Sequence, residues 1–250
     1  MNFNYEGLNV YYDMFGQGKR LVLLHGWGGP NVWFPYIDKL VQDKFQVFLI
    51  HLPGFGNSSI PTQTLNSYKY SEIVVSLVKS LEMENCVLMG HSLGGKIATI
   101  CNSKYKIGSK LILVDSAGFR RFYIDVWTKK NIAHTGKLIL KHFGQFGEKI
   151  LESRVLLKIL GSVDYIDSGK MKNTLKLVVE EDIRTEFSKV KSKTLILWGE
   201  NDKATPLIDG VEINRRIHDS KIFIFKYADH FPFICYPKLF FNIINNFVNE

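Results

Sequence analysis

Cys86-Val87-Leu88-Met89-Gly90-His91-Ser92-Leu93-Gly94-Gly95 is the stretch on which the reading of this chain turns. The apolar run 86–89 reads as a buried strand, and Leu93, Ile97, Ile100 and Cys101 then recur at helical spacing. Between them lies Gly-x-Ser-x-Gly. A serine on so sharp a strand-to-helix turn projects its hydroxyl out of the backbone, and glycine at the flanking positions lets the chain close tightly around it. The helix behind it supplies a positive dipole end and free N–H groups. Gly94 and Gly95, in the first helical turn, allow close packing on a sheet. The plainer reading is a structural serine in an ordinary turn, and the surrounding pattern decides against it.

Outward from this stretch, short apolar runs alternate with helical patterns. Strands are expected at 9–15, 21–24, 45–50, 86–90 and 110–114, with helices at 31–42, 67–82 and 92–104 between them. From 119 to 188 only helical patterning appears, roughly 122–143, 147–160 and 170–187. The alternation then resumes with strand 194–198, helix 206–217, strand 221–225 and helix 236–249. The fold class expected is α/β: a mostly parallel central sheet with helices on both faces and an inserted helical cap. Residues 1–118 and 189–250 form the core in this reading, and 119–188 form the cap.

The chain has 250 residues and an ordinary globular balance, 46% hydrophobic and 22% charged. No apolar run is long enough for a membrane span, and the start has neither the basic nor the apolar part of a signal peptide. The cysteines, Cys86, Cys101 and Cys235, are scattered without metal-ligand spacing, and the first two sit in apolar patterns. A reduced, cytoplasmic setting is therefore expected, with no metal. Net charge is +8, and it is uneven: residues 120–193 hold sixteen Lys and Arg against nine Asp and Glu. Arg120, Arg121, Lys129, Lys130, Lys137 and Lys141 lie in the first part of that segment. Most simply this is a solvated surface. The sharper reading is a face for an acidic carrier protein or an anionic substrate. Nucleic acid is not an expected partner, because no recognised nucleic-acid module is present.

A serine hydroxyl needs a base. Reactive groups in an open parallel sheet gather beyond the carboxyl ends of the strands. His230, after the last strand in Tyr227-Ala228-Asp229-His230-Phe231-Pro232, has that position. His25 lies in a Gly-rich turn, and His91 should be aimed away from its neighbour Ser92. Two acids follow strands, Asp202 in Trp198-Gly199-Glu200-Asn201-Asp202 and Asp115 after 111–114. The order Ser92, Asp202, His230 is nucleophile, acid, base, with Asp115 as the rival acid. Oxyanion donors are expected from the Leu93 N–H and the Trp27 N–H, the latter within the supporting turn His25-Gly26-Trp27-Gly28-Gly29.

At this point the chain resembles the α/β-hydrolase superfamily, and within it the small capped serine esterases. His-Gly-Trp-Gly-Gly at 25–29, Leu-Pro-Gly-Phe-Gly-Asn-Ser at 52–58, Gly-His-Ser-Leu-Gly-Gly at 90–95, Trp-Gly-Glu-Asn-Asp at 198–202 and Asp-His-Phe-Pro at 229–232 stand in that family's order. The first two are similar to motifs of pimeloyl-carrier-protein methyl ester esterases, though widespread elsewhere. The resemblance implies a Ser92–Asp202–His230 triad, no cofactor and a pocket between cap and core. Dehalogenases and epoxide hydrolases of the fold use an aspartate nucleophile where this chain has Ser92. Carbon–carbon bond hydrolases tend to carry Trp after the catalytic His, where this chain has Phe231. The expected function is hydrolysis of small to medium carboxylic esters through an acyl-enzyme. Lactone or C–C hydrolysis on the same residues and a non-catalytic receptor role are the alternatives.

Overall fold

Continuous apolar runs such as 21–24 and 111–114 suit strands covered on both faces, and in the structure none of these side chains meets solvent. The structure is a computed structural model, and it describes residues 1–120 and 169–250. By contacts the chain divides into two units, one of Met1–Phe119 with Glu181–Glu250, the other of Arg120–Glu180.

The first unit is built on an eight-stranded sheet. Its strands are β1 (Asn2–Tyr5), β2 (Leu8–Phe15), β3 (Lys19–Leu24), β4 (Phe45–Ile50), β5 (Val87–His91), β6 (Lys110–Val114), β7 (Lys193–Gly199) and β8 (Ser220–Phe225). They lie in the order β1-β2-β4-β3-β5-β6-β7-β8. The pairs β1/β2 and β2/β4 are antiparallel, and every pair from β4/β3 to β7/β8 is parallel. Its helices are α1 (Ile37–Gln42), α2 (Ser67–Ser80), α3 (Leu93–Tyr105), α5 (Arg184–Phe187), α6 (Leu207–Arg216), α7 (Pro232–Cys235) and α8 (Pro237–Asn249). Alternate residues of the strands, among them Leu21, Leu23, Val87, Met89, Ile112 and Leu197, form one core with Trp33 and with Phe240, Ile244 and Phe247 of α8. Helix α3 packs on β5 and β6, with α2 beside it. The carboxyl ends of the parallel strands thus converge on one edge, where the turns after β3, β5, β6, β7 and β8 meet. At the opposite ends, Lys110 donates to the carbonyls of Phe247 (2.8 Å) and Val248 (3.0 Å), and Lys19 to Val248 (2.8 Å). These cations close the C-terminus of α8, where the helix leaves carbonyls unpaired.

The second unit is described from 169 onward. A 3₁₀ turn, Gly169–Met171, leads into α4 (Lys172–Glu180), whose Thr174, Leu175 and Val178 are buried together with Met171. The helices expected at 122–143 and 147–160 lie outside the described residues, as do Arg121, Lys129, Lys130, Lys137 and Lys141.

Two local differences have physical reasons. The helix expected at 31–42 is two 3₁₀ turns, Pro30–Val32 and Phe34–Tyr36, followed by α1. Pro30 and Pro35 lack the N–H that a continuous helix needs. The single helix expected at 170–187 is interrupted at 181–183. There the Glu181 carbonyl accepts from Lys96 (2.8 Å), its carboxylate accepts from the Ser67 N–H (2.9 Å), and Ile183 N–H donates to Gly118 O (2.8 Å). These tertiary bonds occupy the backbone that a helix would use, and residues 181–188 group with the first unit. The short β1 and α7 escaped the sequence pattern altogether. Cys86 and Cys101 are buried thiols as expected, and Cys235 is exposed. Among the described residues no helix is long and apolar enough to cross a membrane.

The glycines of α3 have a measurable consequence. A Cβ on Gly94 would collide with the main-chain carbonyl of Leu24 and lie 2.7 Å from that of His25, whereas one on Gly95 would collide with the Ser116 side chain. Gly94→Ala is expected to cost more than the roughly 1–3 kcal/mol typical of overpacking. Gly95→Ala should be partly rescued by Ser116→Gly, and Gly94→Ala should not. Thermal midpoints of Gly94→Ala and Gly95→Ala, each alone and with Ser116→Gly, check this, and equal tolerance at both glycines would contradict it.

Candidate active site

Ser92 caps α3 with φ 53° and ψ −115°. A positive φ on a residue with a Cβ is strained and persists only where the surroundings enforce it. They do so here. Ser92 N–H donates to Val114 O (3.0 Å), and its carbonyl accepts from Gly95 (3.0 Å), Lys96 (3.2 Å) and Ala117 (3.0 Å). The end of β6 therefore holds the turn from the side. A Cβ on Gly90 would collide with the Gly94 carbonyl, which explains a glycine before the turn as well as after it. Ser92 is half-buried, and Leu93 starts the helix behind it, where first-turn N–H groups have no intrahelical acceptor.

The turn after β3 runs directly beside the serine, since a Cβ on Gly26 would lie 3.1 Å from Ser92 Cβ. His25 shapes this turn. Its Nδ1 donates to Gly26 O (2.7 Å), and its Nε2 accepts from Leu52 N–H (3.0 Å), which fixes a neutral tautomer. Complete burial pulls its pKa down to about 4. Trp27 follows, half-buried, its ring edge-to-face on Phe55 at 4.9 Å. Gly28 has φ 110° and Gly29 φ 100°, the left-handed region that glycine supplies without strain.

Asp202 and His230 meet at the ends of β7 and β8. His230 Nδ1 donates to Asp202 Oδ2 at 2.7 Å. The carboxylate takes three more donors, Ala204 N–H (2.7 Å) and Thr205 N–H (2.9 Å) on Oδ1 and the Thr205 hydroxyl (2.6 Å) on Oδ2. Burial alone would raise its pKa, but the His230 bond and charge and the Thr205 donors outweigh that, and the carboxyl lies below its ordinary value. Since Nδ1 carries the hydrogen, the neutral His230 ring leaves Nε2 as an acceptor.

The rival acid has the opposite surroundings. Asp115 is fully buried with φ 41°; its Oδ1 accepts from the Gly199 N–H at 2.9 Å, Oδ2 takes no donor, and the carboxyl also meets that of Asp202. Burial pushes its carboxyl well above the ordinary value, and the neighbouring Asp202 pushes the same way. One donor atom from each of Asp115, Asp202 and His230 lies within 4.8 Å of the others, close enough in principle for a cation. To ligate one, His230 Nδ1 and Asp115 would each have to give up a hydrogen that this geometry favours keeping.

Two contributors were missed in the sequence. Thr205 follows Asp202 at the spacing by which an aspartate side chain captures backbone N–H groups two and three residues on, a signal that was there to be read. His91 was expected to point away from Ser92, and its ring contacts run to His230 and to Gly26. Its Nε2 lies 2.9 Å from the main-chain carbonyl of His230, and the two imidazoles are 4.7 Å apart. This contact brings the His230 loop over the serine turn, and no sequence spacing announces it.

A family model described as alpha/beta hydrolase fold matches residues 19–235. A pimeloyl-[acyl-carrier protein] methyl ester esterase of Aeromonas hydrophila is 28% identical, over 96% of this chain and 100% of its own length. A 2-hydroxy-6-oxononadienedioate/2-hydroxy-6-oxononatrienedioate hydrolase of Escherichia coli is 25% identical over 96% of this chain and 91% of its own. Among solved structures, an esterase from Exiguobacterium antarcticum superposes with a TM-score of 0.77 at 22% identity, covering 98% of this chain and 97% of that one.

The two carboxyls can be told apart by experiment. Asp202→Asn should lower activity far more than Asp115→Asn, because only Asp202 holds His230. Stability separates them too. The fold holds the Asp115 proton to well above the ordinary value of 3.8, at which the unfolded chain gives it up. The unfolded state then binds fewer protons, so this residue's contribution falls as pH rises. Asp115→Asn should therefore gain on the parent protein by about 1.4 kcal/mol per pH unit above about pH 5, until the folded carboxyl ionises. Paired urea titrations across that range measure the gap. A gap that does not change with pH would mean that Asp115 is ionised in the fold.

Proposed function

The chain belongs to the alpha/beta hydrolase family, and on that premise we propose that it is a serine hydrolase of carboxylic esters acting through an acyl-enzyme. Ser92 is the nucleophile, His230 the base and Asp202 the acid that orients it. The observation that carries this reading is the Asp202–His230 pair, a carboxylate satisfied by four donors and aimed at Nδ1 of an imidazole beside the strained Ser92 turn.

In this mechanism Ser92 Oγ attacks the ester carbonyl carbon while His230 Nε2 takes its proton. The carbonyl oxygen becomes an oxyanion, held by the Leu93 N–H and the Trp27 N–H. Collapse breaks the C–O bond, and His230 returns its proton to the departing alcohol. Water then attacks the acyl-enzyme, again giving a proton to His230, and the acid is released with Ser92 restored. Asp202 stays ionised throughout and stabilises the imidazolium. The steps need no cofactor.

An acyl group presented on an acidic carrier protein is the substrate form that the charge favours. Residues 120–193 hold a net charge of +7 out of the chain's +8, and one relative acts on a pimeloyl-[acyl-carrier protein] methyl ester. Opposite charge would speed encounter, and salt would screen it. C–C bond hydrolysis has a relative in its favour but meets Phe231 after the base.

Ser92→Ala should leave a folded protein whose ester hydrolysis falls by a factor on the order of 10⁴ or more, and a fluorophosphonate should label Ser92 alone. Turnover near that of the parent protein in folded Ser92→Ala would sink the mechanism. A folded parent protein inert to p-nitrophenyl esters, lactones and carrier-linked methyl esters alike would favour a receptor. For the carrier, kcat/KM toward a carrier-linked ester should fall steeply from low to high salt, while that toward a neutral short-chain ester barely changes. Equal, shallow responses, or no effect of neutralising Arg120, Arg121, Lys129 and Lys130 together, would leave a plain solvated surface.

A further inference from the structure

Strand β5 carries the Ser92 turn, and β8 leads to the His230 loop, with β6 and β7 between them. Three strand spacings, about 14 Å, separate the roots of the two segments. The His230 side chain is anchored to Asp202 through Nδ1, but a ring fixed at one nitrogen still pivots about that bond. Where its other nitrogen points depends on where the main chain of the loop sits. Within the loop, Asn201 N–H donates to Ala228 O (2.8 Å) and Phe231 N–H to Asp229 Oδ1 (3.0 Å), and both bonds stay on the β7–β8 side. One bond crosses to the serine strand, from His91 Nε2 to the carbonyl of His230 itself.

We propose that His91 is the positioning residue of the base: by donating Nε2–H to the main-chain carbonyl of His230, it fixes the height of the base loop over the Ser92 turn. This rests on the reading of His230 as the base. A carbonyl only accepts, so Nε2 must carry the hydrogen, and the neutral ring leaves Nδ1 bare. The structure accommodates that nitrogen without a partner. It is turned to Gly26, where a Cβ would stand 2.9 Å away, so the same ring also touches the turn beside Ser92. Phe231 (5.2 Å), Phe233 (5.6 Å) and Trp33 (6.2 Å) pack around the imidazole and hold its plane. His91 thus touches the turn after β3, the turn it belongs to after β5, and the loop after β8. The titratable groups facing it are His230, Asp202 and His25. Burial, with His230 adding to it, takes its pKa down to about 3, so the donor geometry persists at any working pH.

The test pairs two variants with a measurement on the parent protein. His91→Leu fills similar space without a donor, and His91→Gln carries an amide N–H at a similar reach. His91→Leu should lower kcat for a p-nitrophenyl ester by about 10–100-fold with KM within about threefold, and His91→Gln should stay within about threefold of the parent kcat. The downfield proton resonance of His230 Nδ1–H should shift or broaden in His91→Leu and persist in His91→Gln. Whatever the variants do, ¹⁵N spectra of the parent protein should show His91 as the Nε2–H tautomer, unchanged from mildly acidic to mildly alkaline pH. An Nδ1–H tautomer, an unimpaired His91→Leu, or a folded His91→Gln as damaged as His91→Leu would each overturn the proposal. His230→Ala separates the two readings. Full loss there beside an unaffected His91→Leu removes only the positioning role, whereas turnover retained in His230→Ala removes the base and both readings with it.

Discussion

Everything at the reactive edge depends on how closely α3 approaches the sheet. The helix can begin one residue after β5 only because nothing but hydrogen projects from Gly90 and Gly94 at the crossing, where a Cβ would strike main-chain atoms rather than yielding side chains. That approach forces Ser92 into φ 53°, a conformation costing about 1–3 kcal/mol for a residue with a Cβ. The strain is locked in by bonds to Val114 and Ala117, at and beyond the end of β6, so the serine cannot relax without breaking contact with its neighbour strand. One packing constraint therefore sets the direction of the hydroxyl, the start of the helix and the distance to the turn after β3.

A second constraint is electrostatic. Two aspartates end neighbouring strands, and the proposed mechanism needs one of them charged. The fold decides by counting donors. Asp202 is given four and stays ionised; Asp115 is given one and is pushed toward its neutral form. Two carboxylates this close could not both ionise cheaply, so the neutrality of Asp115 is part of what keeps Asp202 charged.

Much of this was legible in the sequence. The alternation of apolar runs gave the parallel strands to within a residue or two, because strands buried on both faces need no alternation to be noticed. Ser92, Asp202 and His230 could be chosen by their places after strands, and the structure does bring Asp202 and His230 within hydrogen-bond distance. What stayed hidden was tertiary. The break at 181–183 comes from bonds to Lys96, Ser67 and Gly118, residues at least 65 positions away in the chain. Helical propensity along 170–187 cannot register such partners. Asp115 and Asp202 look equivalent as letters, and only the census of donors around each tells them apart. His91 was read by its direction relative to Ser92, but the carbonyl it meets is 139 residues further along.

The buried histidines complete the electrostatic picture. His91 lies 4.7 Å from His230 and faces His25 as well, and in the proposed mechanism a positive charge on this pair would oppose the imidazolium that forms at His230. Burial removes that conflict by holding both rings neutral, His25 with its hydrogen on Nδ1 and His91 with its hydrogen on Nε2. Burial and the neighbouring Asp202 both oppose ionisation of the Asp115 carboxyl, which lessens a competing negative charge nearby. In the proposed mechanism the neutral His91 ring leaves the Asp202 carboxylate, 2.7 Å from Nδ1, as the charge that meets the His230 ring directly, so the uncharged neighbour serves the base together with the carboxylate that orients it.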